Sequence, residues 1–172
     1  MSCQIRSETE SAYPGIDEVN ERAFGQTNEG ALIRKLRSTP KFIPELSLIA
    51  EAQGQIIGHI LFFPIEIRGD SGIFPSLALA PMSVLPEFQK QGIGSRLVLD
   101  GLKRAARLGF TSVIVLGHAE YYPRFGFLKA SRWGIQAPFK VPDEVFMALE
   151  LIPDGLRDVR GTVVYPAELN DV

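Results

Sequence analysis

At 172 residues the chain has the length of one domain with room for a sizeable core, and its 45% hydrophobic and 22% charged content is that of an ordinary soluble globular protein. A formal net charge of −2 gives no reason to expect nucleic-acid binding, and the single cysteine, Cys3, cannot form an internal disulfide. The opening MSCQIRSETES has no apolar core of the kind a secretory signal needs, and the longest apolar run, Ile56 to Ile67, is broken by Gly58, His59 and Pro64, so the expectation is a cytoplasmic protein with no membrane partner.

Cys3 to Arg6 reads as a short opening strand. Ile16, Val19, Ala23 and Phe24 form a helical stripe after Pro14-Gly15, ending near Gly25. A second helix is expected over Asn28 to Arg37, with Leu32, Ile33 and Leu36 on one side and Ser38-Thr39-Pro40 as its stop. Strand-like runs from Leu46 to Ala52 and Gln55 to Arg68 flank a Gln53-Gly54 turn, the pattern of an antiparallel hairpin. His59 lies inside the second run, where a buried, hydrogen-bonded structural role outweighs a catalytic one. Phe74 to Val84 supplies the next strand. Pro81 within it cannot donate to a ladder, so an interruption or bulge is expected there.

From Leu79 to Leu108 the chain passes from an apolar strand through a glycine-containing loop into an amphipathic helix. Leu97, Val98, Gly101, Leu102, Ala105 and Ala106 repeat with helical spacing, while Arg96, Lys103, Arg104 and Arg107 fall largely outside the stripe. Gln89, Lys90, Gln91, Gly92, Ile93, Gly94 and Ser95 therefore feed a helix N-terminus, where free amides and the helix dipole attract an anion. Glycines at 92 and 94 let a bulky phosphate approach the backbone. A Walker loop is excluded because no glycine precedes Lys-Ser or Lys-Thr, and a dinucleotide fingerprint because Leu97 occupies its third glycine position. Lys90 reads equally well as a charge contact to the ligand and as a solvated surface lysine.

Thr111 to Leu116 is a β-branched run expected to lie parallel to the strand before the helix. Gly117 to Phe127, reading GHAEYYPRFGF, follows. Trp133-Gly134-Ile135 and Pro138 to Pro142 read as ordered connection, and Glu144 to Ile152 and Thr162 to Tyr165 as strands. With no repeat, low-complexity tract or domain-sized linker, the chain reads as one α/β domain over residues 1–172.

Gln89, Gly92 and Gly94 fill the Q/R-x-x-G-x-G/A pattern, and Tyr122 with Gly126-Phe127 fills Y-x-x-x-G-F. In this order and context the chain resembles the GNAT N-acetyltransferase superfamily, and within it the bacterial proteins with a GHxEYYPRFGF-like block and a later FMALEL-like strand. The resemblance implies a mixed, mostly antiparallel central sheet flanked by helices, with a parallel strand pair splayed at an acyl-CoA site. It implies a cytoplasmic enzyme that uses acetyl-CoA, without a metal, to acetylate a primary amine by direct attack. Gln89 to Ser95 would hold the pyrophosphate. Backbone at Met82 to Val84, where the bulge is expected, would align the pantetheine arm and donate to the thioester oxygen. The two early helices would border the acceptor entrance.

Tyr122 is the candidate acid for the departing sulfur, with Tyr121 its neighbour and competitor. His118 is the first candidate base, Glu51 and Glu120 follow, and a water chain needs no dedicated residue. Cys3 as an acyl-enzyme nucleophile is disfavoured, since nothing beside it in sequence supplies an activating base. A non-catalytic CoA-sensing or protein-interaction domain is the alternative, and neither the acceptor nor the oligomeric state is legible.

Overall fold

The chain opens with strand β1 (Gln4–Ser7), followed by helices α1 (Tyr13–Phe24) and α2 (Asn28–Arg37). Strands β2 (Ser47–Ala52), β3 (Gln55–Gly69) and β4 (Gly72–Val84) come next, then helix α3 (Ile93–Arg107) and strand β5 (Ser112–Leu116). Two short strands, β6 (Leu128–Lys129) and β7 (Ile135–Gln136), precede β8 (Phe146–Glu150) and β9 (Gly161–Val164). This is a computed structural model describing residues 2–171, with side chains through residue 169. Hydrogen bonding orders the strands β1-β2-β3-β4-β5-β8-β6, with β9 joining β3 and β7. The pairs β1–β2, β2–β3, β5–β8, β6–β8 and β3–β9 are antiparallel, whereas β4–β5 and β7–β9 are parallel. The expected mixed, mostly antiparallel sheet with a parallel β4–β5 pair is therefore present.

The chain divides into two compact units: Met1–Phe63, Ala80–Arg104 and Ala167–Val172 form one, Pro64–Leu79 and Ala105–Pro166 the other. In the first, α1 and α2 present Ile16, Leu32, Ile33 and Leu36 to Ile49, Leu61 and Phe63 of β2 and β3. Gly25, with φ of 71°, ends α1 in the left-handed conformation that glycine adopts freely. The expected stripe needs one change. Phe24 is exposed at 42%, and Asn20 is fully buried, its amide donating to the Ile16 carbonyl at 2.9 Å. The hairpin forms with Ala52 opposite Gln55, and both central residues are left-handed, Gln53 at 52° and Gly54 at 76°. That is the primed turn whose twist suits a two-residue hairpin.

Two glycines set how α3 packs within this unit. A Cβ on Gly58 of β3 would crowd Leu97 at 3.1 Å and Ile93 at 3.3 Å, and a Cβ on Gly101 of α3 would overlap the ring of Phe62. Close helix–strand approach thus rests on a missing side chain from each element.

In the second unit, Ala78, Ile114 and Ala148 pack with Ile65, Ile67, Ile135, Phe146 and Val163. The parallel register pairs Leu77 with Val113 and Ala78 with Ile114. Ser76 and Ser112 hydroxyls share a buried hydrogen bond of 2.7 Å beside it. Trp133-Gly134-Ile135, expected as ordered connection, closes a 3-10 turn, Ala130–Trp133, and enters β7, which pairs with β9 at Ile135↔Gly161. Two-residue strands carry too few positions for periodicity to register. Strand β4 also runs unbroken through Pro81, behind a cis Ala80–Pro81 bond. The register shift recorded in the β2–β3 ladder lies elsewhere, between Ala50 and Glu51.

Candidate active site

Past Val84 the backbone turns through a 3-10 segment, Pro86–Phe88, and reaches α3 by the loop Gln89 to Gly92. Three contacts shape this approach. Leu85 N–H donates to the Ile57 carbonyl at 2.9 Å, the Gln89 side-chain amide to the Val84 carbonyl at 3.0 Å, and the Gln91 amide to the Glu87 carbonyl at 3.3 Å. The side chain of Gln89 therefore braces the loop against the end of β4, a role its place in the sequence motif does not reveal. Lys90 takes φ of 63° and Gly92 φ of 85°. A left-handed lysine is a strained choice that surrounding structure must impose, and such residues concentrate at binding sites. At Gly92 a Cβ would meet nothing within 4 Å, so the fold needs glycine there for its dihedral angle.

Arg96 N–H donates to the Gly92 carbonyl at 3.1 Å, closing the first turn of α3. The amides of Ile93, Gly94 and Ser95 precede that bond and have no intrahelical acceptor by geometry. Ile93 is buried at 5% beside Gly58 and anchors the turn, while Gly94 and Ser95 are half-buried. The loop is thus an array of amides at the positive end of a fifteen-residue helix, chemically suited to an anionic phosphate group. Of the strand residues before it, Met82 and Val84 are half-buried and Ser83 is buried at 4%.

One contributor to this region escaped the sequence reading. Arg22 Nη2 in the last turn of α1 reaches both carboxylate oxygens of Glu87, at 2.6 and 2.7 Å. The Glu87 amide and Arg22 together hold that carboxyl below the usual range. Sixty-five residues separate the partners, so no local pattern announces the pair.

The GHAEYYPRFGF block folds as a tight turn inside the second unit. Gly117 N–H donates to the Val145 carbonyl at 2.9 Å, and the His118 carbonyl accepts from Tyr121 N–H at 3.1 Å and Tyr122 N–H at 3.4 Å. Tyr122 opens a 3-10 turn, Tyr122–Phe125, rather than an α-helix. Its ring is 7% exposed, edge-on to Tyr121 at 5.1 Å and to Phe127 at 5.7 Å between centroids. A Cβ on Gly117 would overlap this ring, which explains the glycine five residues earlier. Burial, with a smaller contribution from Tyr121, pushes the Tyr122 phenol up to about 12. Tyr121 is half-buried, with the Arg124 guanidinium 4.6 Å above its ring. The two tyrosines thus occupy different environments, as adjacent residues should. Of the candidate bases, His118 and Glu120 are exposed, and Glu51 is paired with Arg6 at 3.2 Å.

His59 has the structural role the sequence favoured. It is fully buried, and its Nε2 lies 2.9 Å from Ser47 Oγ. The Ser47 hydroxyl donates to Glu8, whose carboxylate takes two bonds from Arg37 at 2.8 and 3.1 Å. With that hydroxyl committed, the imidazole donates from Nε2, and Nδ1 is left buried without a partner among the described residues. Burial first, and the Arg37 charge second, lower its pKa to about 3. A Ser–His–carboxylate set so enclosed cannot meet a substrate, and so weakly basic an imidazole is no general base at neutral pH. Cys3 is half-buried with Arg96 Nη1 at 2.8 Å from its sulfur. Among the described residues no cluster of His, Cys, Asp and Glu is arranged to hold a metal, and no helix is long and apolar enough to cross a membrane.

A family model, the acetyltransferase (GNAT) domain, matches residues 44–129. The uncharacterized N-acetyltransferase YjhQ of Escherichia coli (strain K12) is 41% identical over 130 residues, 75% of this chain and 72% of its own. The chain belongs to the GNAT acetyltransferases. The uncharacterized N-acetyltransferase YhbS of the same organism is 31% identical over 167 residues, covering 96% of this chain and 98% of its own. The crystal structure of YhbS in complex with CoA superposes with a TM-score of 0.91 at 30% identity, over 98% of this chain and 92% of that one. A GNAT acetyltransferase from Brucella melitensis in complex with acetyl-CoA gives a TM-score of 0.78 at 32% identity, over 98% of both chains. The Gln89–Ser95 loop, His118 and Tyr122 of this GNAT enzyme all lie inside the matched residues.

Proposed function

We propose that this enzyme transfers the acetyl group of acetyl-CoA to a primary amine by direct attack, holding the pyrophosphate on the Gln89–Ser95 loop. The observation that carries this reading is the loop's backbone: left-handed Lys90 and Gly92 lead into first-turn amides without intrahelical acceptors. Gln89 contributes by bracing, while Lys90, Gln91, Gly92, Ile93, Gly94 and Ser95 contribute chiefly through the main chain. Because the main chain does the binding, Lys90 adds at most a screened charge contact. Backbone at Met82 and Val84 aligns the pantetheine arm and polarises the thioester carbonyl. The complexes of YhbS with CoA and of the Brucella melitensis protein with acetyl-CoA support the choice of ligand.

In the reaction, the neutral amine attacks the thioester carbonyl, a C–N bond forms, the C–S bond breaks, and the thiolate departs. Tyr122 assists that departure through its hydroxyl. A phenol raised to about 12 facing a thiol of reference pKa about 8.5 makes complete proton transfer uphill by about 5 kcal/mol. Its contribution is therefore a hydrogen bond to developing charge on sulfur, with solvent supplying the final proton. His118, exposed to solvent, takes the proton that the acceptor's ammonium must lose before it attacks as the neutral amine, directly or through water. The α1–α2 pair borders the acceptor entrance, and the site is completed within one cytoplasmic domain without a metal.

A panel of amine acceptors incubated with acetyl-CoA, with thiol release followed continuously, tests the proposal. Acceptor-dependent release supports it. Tight CoA binding with no release over the panel would favour the sensing-domain alternative.

A further inference from the structure

Two residues before the proposed phosphate loop stands an acidic residue, Glu87, in a place where an anion is to be bound. Its carboxylate is ion-paired. Arg22 Nη2 engages both oxygens, at 2.6 and 2.7 Å, from the last turn of α1. The same residue's carbonyl accepts from Gln91 at 3.3 Å, and two residues on, the Gln89 amide binds Val84 O at 3.0 Å. Glu87 is thus the point where α1 is fastened to the segment that leads into Lys90 and Gly92.

Building on the phosphate-loop reading above, we infer that Arg22 is a positioning residue for the acyl-CoA site: through Glu87 it fixes the loop in its binding conformation and links it to α1. The argument is one of preorganisation. Lys90 holds a left-handed conformation that a free lysine seldom adopts, so the loop must be held by contacts outside itself. The two glutamine braces tie the loop to β4 and to itself, and Arg22–Glu87 fastens the segment before it to α1. Ala23, Phe24 and the Gly25–Thr27 connection follow Arg22, so an acceptor that shifts the end of α1 also shifts the loop's anchor. Arg22 and Glu87 side chains are 40% and 46% exposed, which limits the effect. An exposed ion pair of this kind changes affinity by at most about 5-fold.

The test is a double-mutant cycle on CoA binding by calorimetry, with Arg22→Gln, Glu87→Gln, the double variant and the charge-swapped Arg22→Glu/Glu87→Arg protein. Each single variant should weaken CoA about 2- to 5-fold, the double should be no weaker than the weaker single, and the swap should recover to within about 2-fold of the original. With an active acceptor, KM for acetyl-CoA should rise in the singles while kcat at saturation holds. Unchanged affinity in both singles, or losses that add in the double, would overturn the inference. So would tighter binding by Glu87→Gln alongside weaker binding by Arg22→Gln, because the pair would then only neutralise a charge. Failure of the unsubstituted protein to bind CoA would instead remove the phosphate-loop reading itself. Thermal unfolding of each variant separates a folding loss from a positioning loss.

Discussion

Acid should unfold this protein partly through one histidine. His59 is fully buried with Nδ1 unpartnered among the described residues, and its pKa falls to about 3 from 6.5. Well above pH 6.5 the imidazole is neutral in both folded and unfolded chains, so it contributes no pH dependence. Below that the unfolded chain binds a proton that the folded chain refuses, and stability falls until pH approaches 3. Between pH 7 and pH 5 the difference integrates to about 2 kcal/mol. The charged neighbours on that network are Glu8 and Arg37, and Arg37 opposes a second positive charge beside it. Urea unfolding at pH 7 and pH 5, on the unsubstituted protein and on His59→Gln, isolates the contribution. Glutamine keeps a donor for Ser47 but does not titrate. The variant should lose about 2 kcal/mol less over that interval, whatever its stability at pH 7. Equal losses in the two proteins would refute the argument, since they would mean that His59 is protonated as readily inside as outside.

Tyr122→Phe should reduce kcat by something on the order of 10- to 1000-fold at saturating acetyl-CoA with CoA affinity little changed, while Tyr121→Phe does much less; a loss confined to Tyr121→Phe would reverse the assignment. Gly101→Ala should destabilise the fold by about 1–3 kcal/mol in urea titration, because its Cβ overlaps the Phe62 ring, and Phe62→Leu in the same chain should recover part of the loss. Although the chain forms two compact units, β3 and β4 each run through both, so thermal unfolding followed by near- and far-ultraviolet dichroism should show one coincident transition.

Elements long enough to show a period were legible. The second helix was expected over the residues of α2, since Leu32, Ile33 and Leu36 make one face and a proline segment stops the pattern. The Gln53-Gly54 turn and the parallel β4–β5 pair likewise follow from local chemistry and strand order. Short strands β6 and β7 were not legible, because two residues carry no alternation. Within the site, glycine spacing located the loop, but the reason for Gly92 is its left-handed angle, which spacing does not show. Long-range polar contacts were invisible altogether. Nothing about Glu8, Arg37 and Ser47 in sequence tells that they enclose His59, and nothing about Arg22 points to Glu87.

Calorimetric titration of CoA into the unsubstituted protein and Gly94→Val tests the phosphate loop most directly. Gly94 lies in the first turn of α3 and is not among the left-handed glycines, so valine there alters the surface the ligand approaches more than the backbone's conformation. The account predicts that CoA binds the unsubstituted protein and binds folded Gly94→Val at least about 10-fold more weakly, through lost approach to the first-turn amides. Equal affinity in the two proteins would contradict it.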